Sequence, residues 1–454
     1  MPLRTRPGQR RGGDLLASPG RVIVTGFATA IAVGTALLSL PLSTAAGRRP
    51  ELVDALFTAT SAVCVTGLAT VDTGTYWSGF GQAVILVLIQ LGGLGIATFA
   101  TLVALLFSRR LGLRARRVAQ AETKTLTAAD LRRVVRRIVL VTLACEAFAW
   151  LVLALRFAPA YGEPPARAAY DGLFHAVSAF NNAGFSLNAD SLVRYVSDPF
   201  VVLTVCAATI VGGIGFPVLF ELRRRWRRPG SWSVLTRITV TVTAVLLVAG
   251  TLAVLATEHT NPATLGALGG GGQLQAAFTA STMARTTGFN SIDVGALRPE
   301  SLFVTEVLMF IGGGSAGTAG GIKVTTFGLL AYVLWAEVRG TPDVEVGRRR
   351  VPAANQRQAL AVALLSVAAV VVAVLVLQPL TGRTFDAVLF EAISAFATVG
   401  LSTGITAEVS TPAQLLLTGL MFAGRLGPLT LASALALRES GTRRALPDQR
   451  TIVG

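Results

Sequence analysis

Eight long apolar runs alternate with polar or basic stretches along the chain: Val22–Leu42, Phe80–Phe107, Ile138–Leu155, Phe200–Phe220, Ile238–Ala256, Leu302–Val338, Ala359–Leu377 and Leu415–Leu437. Most approach or exceed the ~20 residues that a helix needs to cross a ~30 Å hydrocarbon core. Within each successive pair lies a shorter apolar segment. The clearest, Ala387 to Phe396, makes a helix of about 15 Å and so reaches half-way into a bilayer. Asp386 precedes it as a candidate N-cap, and Thr398-Val399-Gly400 breaks the helical pattern. The chain is expected to turn back there as extended backbone, which survives at mid-depth only when enclosed by protein or lining water.

The same arrangement occurs four times. Phe57 to Gly67, Phe174 to Gly184, Phe278 to Gly288 and Phe390 to Gly400 share one spacing, with a hydroxyl four residues after each Phe (Ser61, Ser178, Thr282, Ser394). A bulky apolar residue follows each glycine (Leu68, Phe185, Phe289, Leu401), and the glycines stand 117, 104 and 112 residues apart. That interval accommodates a helix, a half-helix and a second helix. The expected fold is all-α and integral to a membrane: four membrane-pore-membrane repeats, with eight transmembrane helices and four re-entrant pore half-helices around a pseudo-fourfold pore. Residues 1–19 are expected to form a basic tail, 20–108 repeat one, 109–137 a basic linker, 138–228 repeat two, 229–350 repeat three, 351–438 repeat four and 439–454 a second tail. Helix C-termini carry partial negative charge and backbone carbonyls can replace an ion's hydration shell. Four such ends on one axis would make a cation site.

With 52% hydrophobic and 14% charged residues among 454, the composition is that of a polytopic membrane protein. A net charge of +16 raises the possibility of nucleic-acid binding, which the placement of the charge argues against. With the N-terminus inside, 30 of the 40 Lys and Arg fall on internal segments and eight on external ones. This bias predicts a multi-pass protein of the cytoplasmic (inner) membrane, both termini cytoplasmic and the half-helices on the outer side. The run Arg223–Arg228 then reads as a membrane anchor. Cys64, Cys145 and Cys206 suggest neither a disulfide framework nor a metal site. The basic N-terminus, first apolar run and Thr44-Ala45-Ala46 resemble a signal peptide, but the run is too long for its apolar core and is expected to remain as the first helix.

Asp54 and Asp171 are expected to open the first two half-helices. Gln90 with Gly92, Gly93 and Gly95 suits close helix packing. His175 lacks spaced partners for catalysis or metal binding and reads as structural, and Gly266–Gly272 as a flexible connection. Arg285, beside the third extended segment, is expected to brace it by donating to nearby carbonyls or a carboxylate. Leu302–Val338 would be about 55 Å as one helix, but Gly312, Gly313, Gly314, Ser315, Ala316, Gly317, Thr318, Ala319, Gly320 and Gly321, followed by Lys323, interrupt it. Each glycine costs ~1 kcal/mol relative to alanine in a helix, so a loop within the membrane is expected, lying below the ion site as a gate. A tightly packed helix crossing is the alternative. Arg425, inside a span, calls for an interior partner, either Glu391 or the loop carbonyls.

The segments D-A-L-F-T-A-T-S-A-V-C-V-T-G-L, F-N-N-A-G-F-S, A-R-T-T-G-F-N, G-G-S-A-G-T-A-G-G-I-K, F-A-T-V-G-L-S and G-R-L-G-P-L-T together resemble the Trk/Ktr/HKT superfamily of potassium transporters. The likeness is greatest to its Ktr-type membrane subunit and runs over about residues 20 to 438. The resemblance implies one K⁺ pore per subunit, a homodimer, and a cytoplasmic nucleotide-binding regulatory ring sensing ATP/ADP or NAD. It implies a selectivity filter of Val65, Thr66 and Gly67; Asn182, Ala183 and Gly184; Thr286, Thr287 and Gly288; and Thr398, Val399 and Gly400. It also implies a gate at Gly312–Gly321 with Lys323, and Arg425 as a pore-facing cation; Glu391 is the companion charge expected near it. Potassium would sit in the filter, with sodium a candidate coupling ion and no covalent cofactor. One filter glycine per repeat, against two in tetrameric K⁺ channels, implies weaker discrimination against sodium.

Two other classes compete. A secondary cation-coupled solute transporter would place carboxylates at mid-membrane on broken helices in inverted repeats; these repeats run in one orientation and only Glu391 is expected at that depth. A membrane enzyme would need clustered catalytic groups, whereas the two histidines, His175 and His259, stand apart and no paired acids are read in a span.

Overall fold

Apolar runs free of clustered glycine and proline become long helices in the computed structural model, which describes residues 19–110, 128–347 and 349–437. The first half contains α1 (Pro19–Leu38), α2 (Leu52–Cys64), the single turn α3 (Thr73–Tyr76), α4 (Gly79–Arg110), α5 (Ala128–Tyr161), α6 (Pro165–Phe180), α7 (Pro199–Ile214) and α8 (Phe216–Arg225). The second contains α9 (Val234–Glu258), α10 (Gly270–Met283), α11 (Pro299–Phe310) and α12 (Val324–Val338), then a small hairpin of β1 (Glu345–Val346) and β2 (Arg349–Arg350). α13 (Ala353–Thr381), α14 (Phe385–Ala397) and α15 (Thr411–Leu437) complete it. The hairpin is antiparallel, Glu345 opposite Arg350 and Val346 opposite Arg349. Among the described residues, Arg132–Tyr161 of α5, α9 and α13 are each long and apolar enough to cross a membrane. Nearly all of the expected tails at 1–19 and 439–454, and the middle of the expected linker at 109–137, lie outside the described residues.

The helices pack in four sets: α1, α2 and α4; α5, α6 and α7; α9, α10 and α11; α13, α14 and α15. The sets close on one another, because α4 touches α6, α7 touches α10, α11 touches α14 and α15 touches α2. The short helices α2, α6, α10 and α14 carry the contacts between sets and stand on the inside. Phe57, Phe174 and Phe390, the equivalent aromatic of three of them, are fully buried.

Several boundaries differ from the sequence expectation for local reasons. α5 begins ten residues before Ile138, because Leu131, Val134, Val135 and Ile138 continue an i, i+3, i+4, i+7 stripe through the basic stretch. Phe200–Phe220 is not one straight helix: α7 and α8 meet at 99° around Gly215 (φ 100). Gly215 takes the positive φ that the bend requires, and Pro217, pre-set for a first helical turn, has no N–H to donate back across it. α14 starts after Thr384 and α2 after Glu51, so Asp386 and Asp54 occupy first turns rather than caps, where their charge still complements the helix N-terminus. α6 starts at Pro165, a residue pre-set for the first turn, and leaves Asp171 in the second turn, paired with Arg167 at 3.0 Å. Gly270, Gly271 and Gly272 open α10 instead of extending a free connection.

One polar knot at the end of α9 fixes the loops of the third set. Glu258 is fully buried and accepts from Ser301 Oγ, Arg298 N–H, Thr264 Oγ1 and Asn261 Nδ2 at 2.5 to 2.9 Å. Its carboxylate satisfies the start of α11 from outside that helix. Glu258→Ala strands four donors, so a loss of about 3 kcal/mol is expected. A lower denaturation midpoint in detergent, with helix content retained before the transition, checks it; an unchanged midpoint removes the assignment.

Candidate functional site

Beyond the C-termini of α2, α6, α10 and α14 the backbone does the same thing four times. Val65, Asn182, Thr286 and Thr398 adopt left-handed φ of 57°, 60°, 68° and 51°, and two residues on Gly67, Gly184, Gly288 and Gly400 adopt 91°, 69°, 84° and 96°. Thr66, Ala183, Thr287 and Val399 between them keep negative φ. A β-branched residue in left-handed backbone is strained, and three of the four leading residues are β-branched. Strain repeated at equivalent positions marks a geometry imposed by its surroundings.

Hydrogen bonds show what the geometry achieves. Thr66 N–H donates to Ser61 O at 2.8 Å, Ala183 N–H to Ser178 O at 2.7 Å, Thr287 N–H to Met283 O at 3.1 Å and Val399 N–H to Ser394 O at 2.8 Å. These amides are turned back to the helices that precede them. The four segments also touch cyclically. A β-carbon on Gly67 would overlap Ala183 O, one on Gly184 would overlap Thr287 O, one on Gly288 would overlap Val399 O, and one on Gly400 would overlap Thr66 O. The four glycine segments therefore form one closed ring of non-helical backbone.

The hydroxyl four residues after each Phe divides by set. Ser61 Oγ accepts from Gly67 N–H at 3.0 Å and Ser394 Oγ from Gly400 N–H at 3.1 Å. In the third set Gly288 N–H goes to Met283 O, and Thr282 Oγ1 donates to Phe278 O. Ser178 Oγ is buried without a partner among the described residues. Ser61→Ala or Ser394→Ala should therefore disturb the ring, and Ser178→Ala should not. Rubidium uptake and its competition by sodium, measured in all three variants, checks this; equal effects would refute it.

Side chains behind the ring hold it in place. Asn181 Nδ2 lies 2.9 Å from Gln90 Oε1 and 3.0 Å from Glu146 Oε1, and Gln90 Nε2 donates to Glu146 Oε2 at 3.3 Å. This ties α4, α5 and the end of α6 together. Asn182 Nδ2 donates to Thr287 Oγ1 at 3.0 Å, joining two neighbouring segments. His175 Nδ1 donates to Asp171 O at 2.7 Å, which leaves Nε2 to accept from Ser186 Oγ at 3.0 Å. Stacked near Phe289, it is a structural histidine. Glu391 occupies the equivalent place on α14 and accepts from the hydroxyls of Ser402 and Thr406. It therefore holds the return segment and is not the partner of Arg425. Glu391 is also not alone at depth: Glu146 in α5 and Glu306 in α11 are buried as well. Each is a single acid in an apolar run, the signal that could have found them.

The glycine stretch forms a loop between α11 and α12. Gly314 N–H donates to Gly213 O at 2.7 Å, Thr318 N–H to Gly212 O at 3.2 Å, and Phe216 N–H to Ala316 O at 3.3 Å. Thr318 Oγ1 reaches Asn182 Oδ1 at 2.8 Å and Phe180 O at 3.2 Å, so the loop lies against the ends of the short helices. Its glycines serve close approach: a β-carbon on Gly314 would overlap Ile214 O and one on Gly320 would overlap Thr398 Oγ1. Lys323 Nζ donates to Ala319 O and Gly320 O. Arg285, expected to brace the third extended segment, reaches instead across to the loop, donating to Gly312 O at 3.4 Å and Thr243 Oγ1 at 3.3 Å. Arg425 is buried, with its three guanidinium nitrogens unpartnered among the described residues; neither expected partner is within reach. Gly424 beside it packs on Phe396 O, which sets this part of α15 against the end of α14.

The sequence matches the family model TrkH, cation transport protein, over residues 18–443. The chain belongs to the TrkH family. Within reach of that family, it is 40% identical over 437 residues to the Ktr system potassium uptake protein B of Bacillus subtilis (strain 168), covering 96% of this chain and 97% of the relative. It is 39% identical over 435 residues to the protein of the same name from Vibrio alginolyticus, covering 96% and 94%. Its fold is that of the potassium transporter TrkH from Vibrio parahaemolyticus, with a TM-score of 0.71 at 18% identity over 95% of this chain and 87% of that one. Membership of the TrkH family makes the chain a membrane transport protein rather than an enzyme.

Proposed function

We propose that the chain mediates potassium uptake across the cytoplasmic membrane, with the ring at Val65–Gly67, Asn182–Gly184, Thr286–Gly288 and Thr398–Gly400 as its selectivity filter. The observation that carries this reading is the cyclic contact of the four glycine segments, with their amides turned away and their carbonyls left to replace water around a cation. The names of the two Ktr relatives supply the ion. In this reading α2, α6, α10 and α14 are re-entrant pore half-helices, the four sets are pore repeats, and both termini are cytoplasmic. The loop at Gly312–Gly321 with Lys323 is the gate, and Arg425 is a fixed positive charge beneath the filter. A homodimer, a cytoplasmic nucleotide-binding regulatory ring and sodium as coupling ion belong to the same proposal and rest on the resemblance.

Glu146 and Glu306 are the kind of buried carboxylate that a coupled secondary transporter uses. Glu146, however, is engaged by Asn181 and Gln90 behind the ring, which supports a positioning role.

Rubidium flux into proteoliposomes containing the full chain with its regulatory partner tests the proposal; absence of cation flux would end it. Thr318→Val removes the hydroxyl contact from the loop to Asn182 and is expected to raise flux a few-fold, about the factor that ~1 kcal/mol of hydrogen bonding represents. Flux unchanged in a well-folded Thr318→Val protein would remove the gate assignment.

A further inference from the structure

The joint between α7 and α8 is stitched to the glycine loop by backbone. Gly212 and Gly213 carbonyls accept from Thr318 and Gly314, Phe216 N–H donates to Ala316 O, and a β-carbon on Gly215 would overlap Ser315 O. A change in the tilt of α8 at this joint must therefore move or break loop hydrogen bonds. α8 itself is graded along its length: Phe216 and Val218 are buried, and every residue from Arg223 to Arg228 is exposed.

The far end of α8 has the chemistry of a membrane-surface anchor. Trp226 is 63% exposed with Arg227 over its ring at 4.7 Å. Arg225 is committed within the protein, to Ser231 O at 3.3 Å and Glu221 at 4.0 Å. Arg223, Arg224, Arg227 and Arg228 are exposed and have no ion pair among the described residues. On the other side of the loop, α12 ends in the same way, with Trp335 56% exposed and Arg339 stacked on it at 4.4 Å. Both helices that flank the loop thus end in an arginine on an exposed tryptophan. An exposed indole beside clustered guanidinium groups fits the boundary where acyl chains meet charged headgroups, and four uncompensated positive charges select anionic ones. An acidic protein surface would satisfy the charges but leave the indoles without an apolar medium.

We propose that the end of α8 and the turn after it, with Arg223, Arg224, Arg227 and Arg228 around Trp226, bind anionic phospholipid headgroups of the adjacent leaflet and thereby hold the glycine loop in the stitched position. The proposal rests on the membrane reading above and extends it to regulation. Lipid at this turn keeps α8 bent away from α7 and its joint hydrogen-bonded to Ala316. Without it the joint is freed, the loop loosens and flux rises.

The test compares the full chain in phosphatidylcholine bilayers with and without about one third phosphatidylglycerol, a composition that sets the negative surface potential. Amide exchange of residues 311–323 and rubidium flux are both read. The wild type should exchange more slowly and conduct less when phosphatidylglycerol is present. A protein with Arg223, Arg224, Arg227 and Arg228 all changed to Gln should show fast exchange and high flux in both bilayers, whereas the four changed to Lys should follow the wild type. Loop exchange that ignores phosphatidylglycerol in the wild type, or that keeps its dependence in the Gln variant, overturns the proposal and leaves the basic turn to an acidic protein. Flux absent in every sample would strike the transport reading, while the exchange measurement would still decide this one.

Discussion

Gly288→Ala is expected to reduce rubidium uptake at least about tenfold, the effect of ~1.4 kcal/mol at the ion's binding and passage. Two independent features forbid the added methyl. Gly288 sits at φ 84°, which an L-residue adopts only with strain, and its β-carbon would overlap Val399 O and stand 2.9 Å from Gly400 Cα. The obstructing atoms are backbone of the next segment, so no side chain can rotate aside. Relief must come from moving Val399 O, one of the carbonyls that line the ring. Gly79→Ala is the control: that glycine starts α4 and has open space where the β-carbon would go. Uptake, with sodium competition, is measured in both variants. Wild-type behaviour of Gly288→Ala would mean that the ring is not the path of the ion.

What sequence reading could and could not reach follows from the range of the interactions involved. The long helices and the four short ones were legible because apolar patterning is local, and the ring residues because the Phe-to-Gly spacing repeats. The bend at Gly215 was also written locally, in Gly215-Phe216-Pro217, but continuous hydrophobicity across Phe200–Phe220 concealed it. The partners of Glu391 were not legible. They are hydroxyls on the return segment, Ser402 and Thr406, whose approach depends on how the chain leaves the ring. The unequal roles of Ser61, Ser178, Thr282 and Ser394 were equally hidden, because a shift in one backbone angle redirects a glycine amide from a hydroxyl to a carbonyl.

The glycine loop shows how one composition supports two physical arguments. Read alone, six glycines in ten residues suggest mobility. In the structure most of these residues are buried and several glycines lie where a β-carbon would strike a neighbouring carbonyl. Their smallness serves contact with Gly212, Gly213 and Ile214 at least as much as freedom. A loop held in this way can move only by exchanging one set of backbone hydrogen bonds for another, which couples it to the α7–α8 joint.

Arg425→Gln is expected to raise rubidium uptake several-fold without lowering stability. A buried guanidinium with no protein acceptor among the described residues is costly, and such a group persists where it faces water or performs a function. Gly424 beside it packs so closely on Phe396 O that the backbone of α15 is fixed there against the end of α14. In the proposed position beneath the ring, a positive charge opposes entry of a second one. Neutralising Arg425 lowers that barrier and also removes an uncompensated buried charge, so flux should rise while the denaturation midpoint stays level or increases. Arg425→Lys keeps the charge and should stay near wild-type flux. If Arg425→Gln instead abolished uptake in a protein of normal stability, the guanidinium would have to assist the ion's passage rather than oppose it, and its place as a barrier beneath the ring would be wrong.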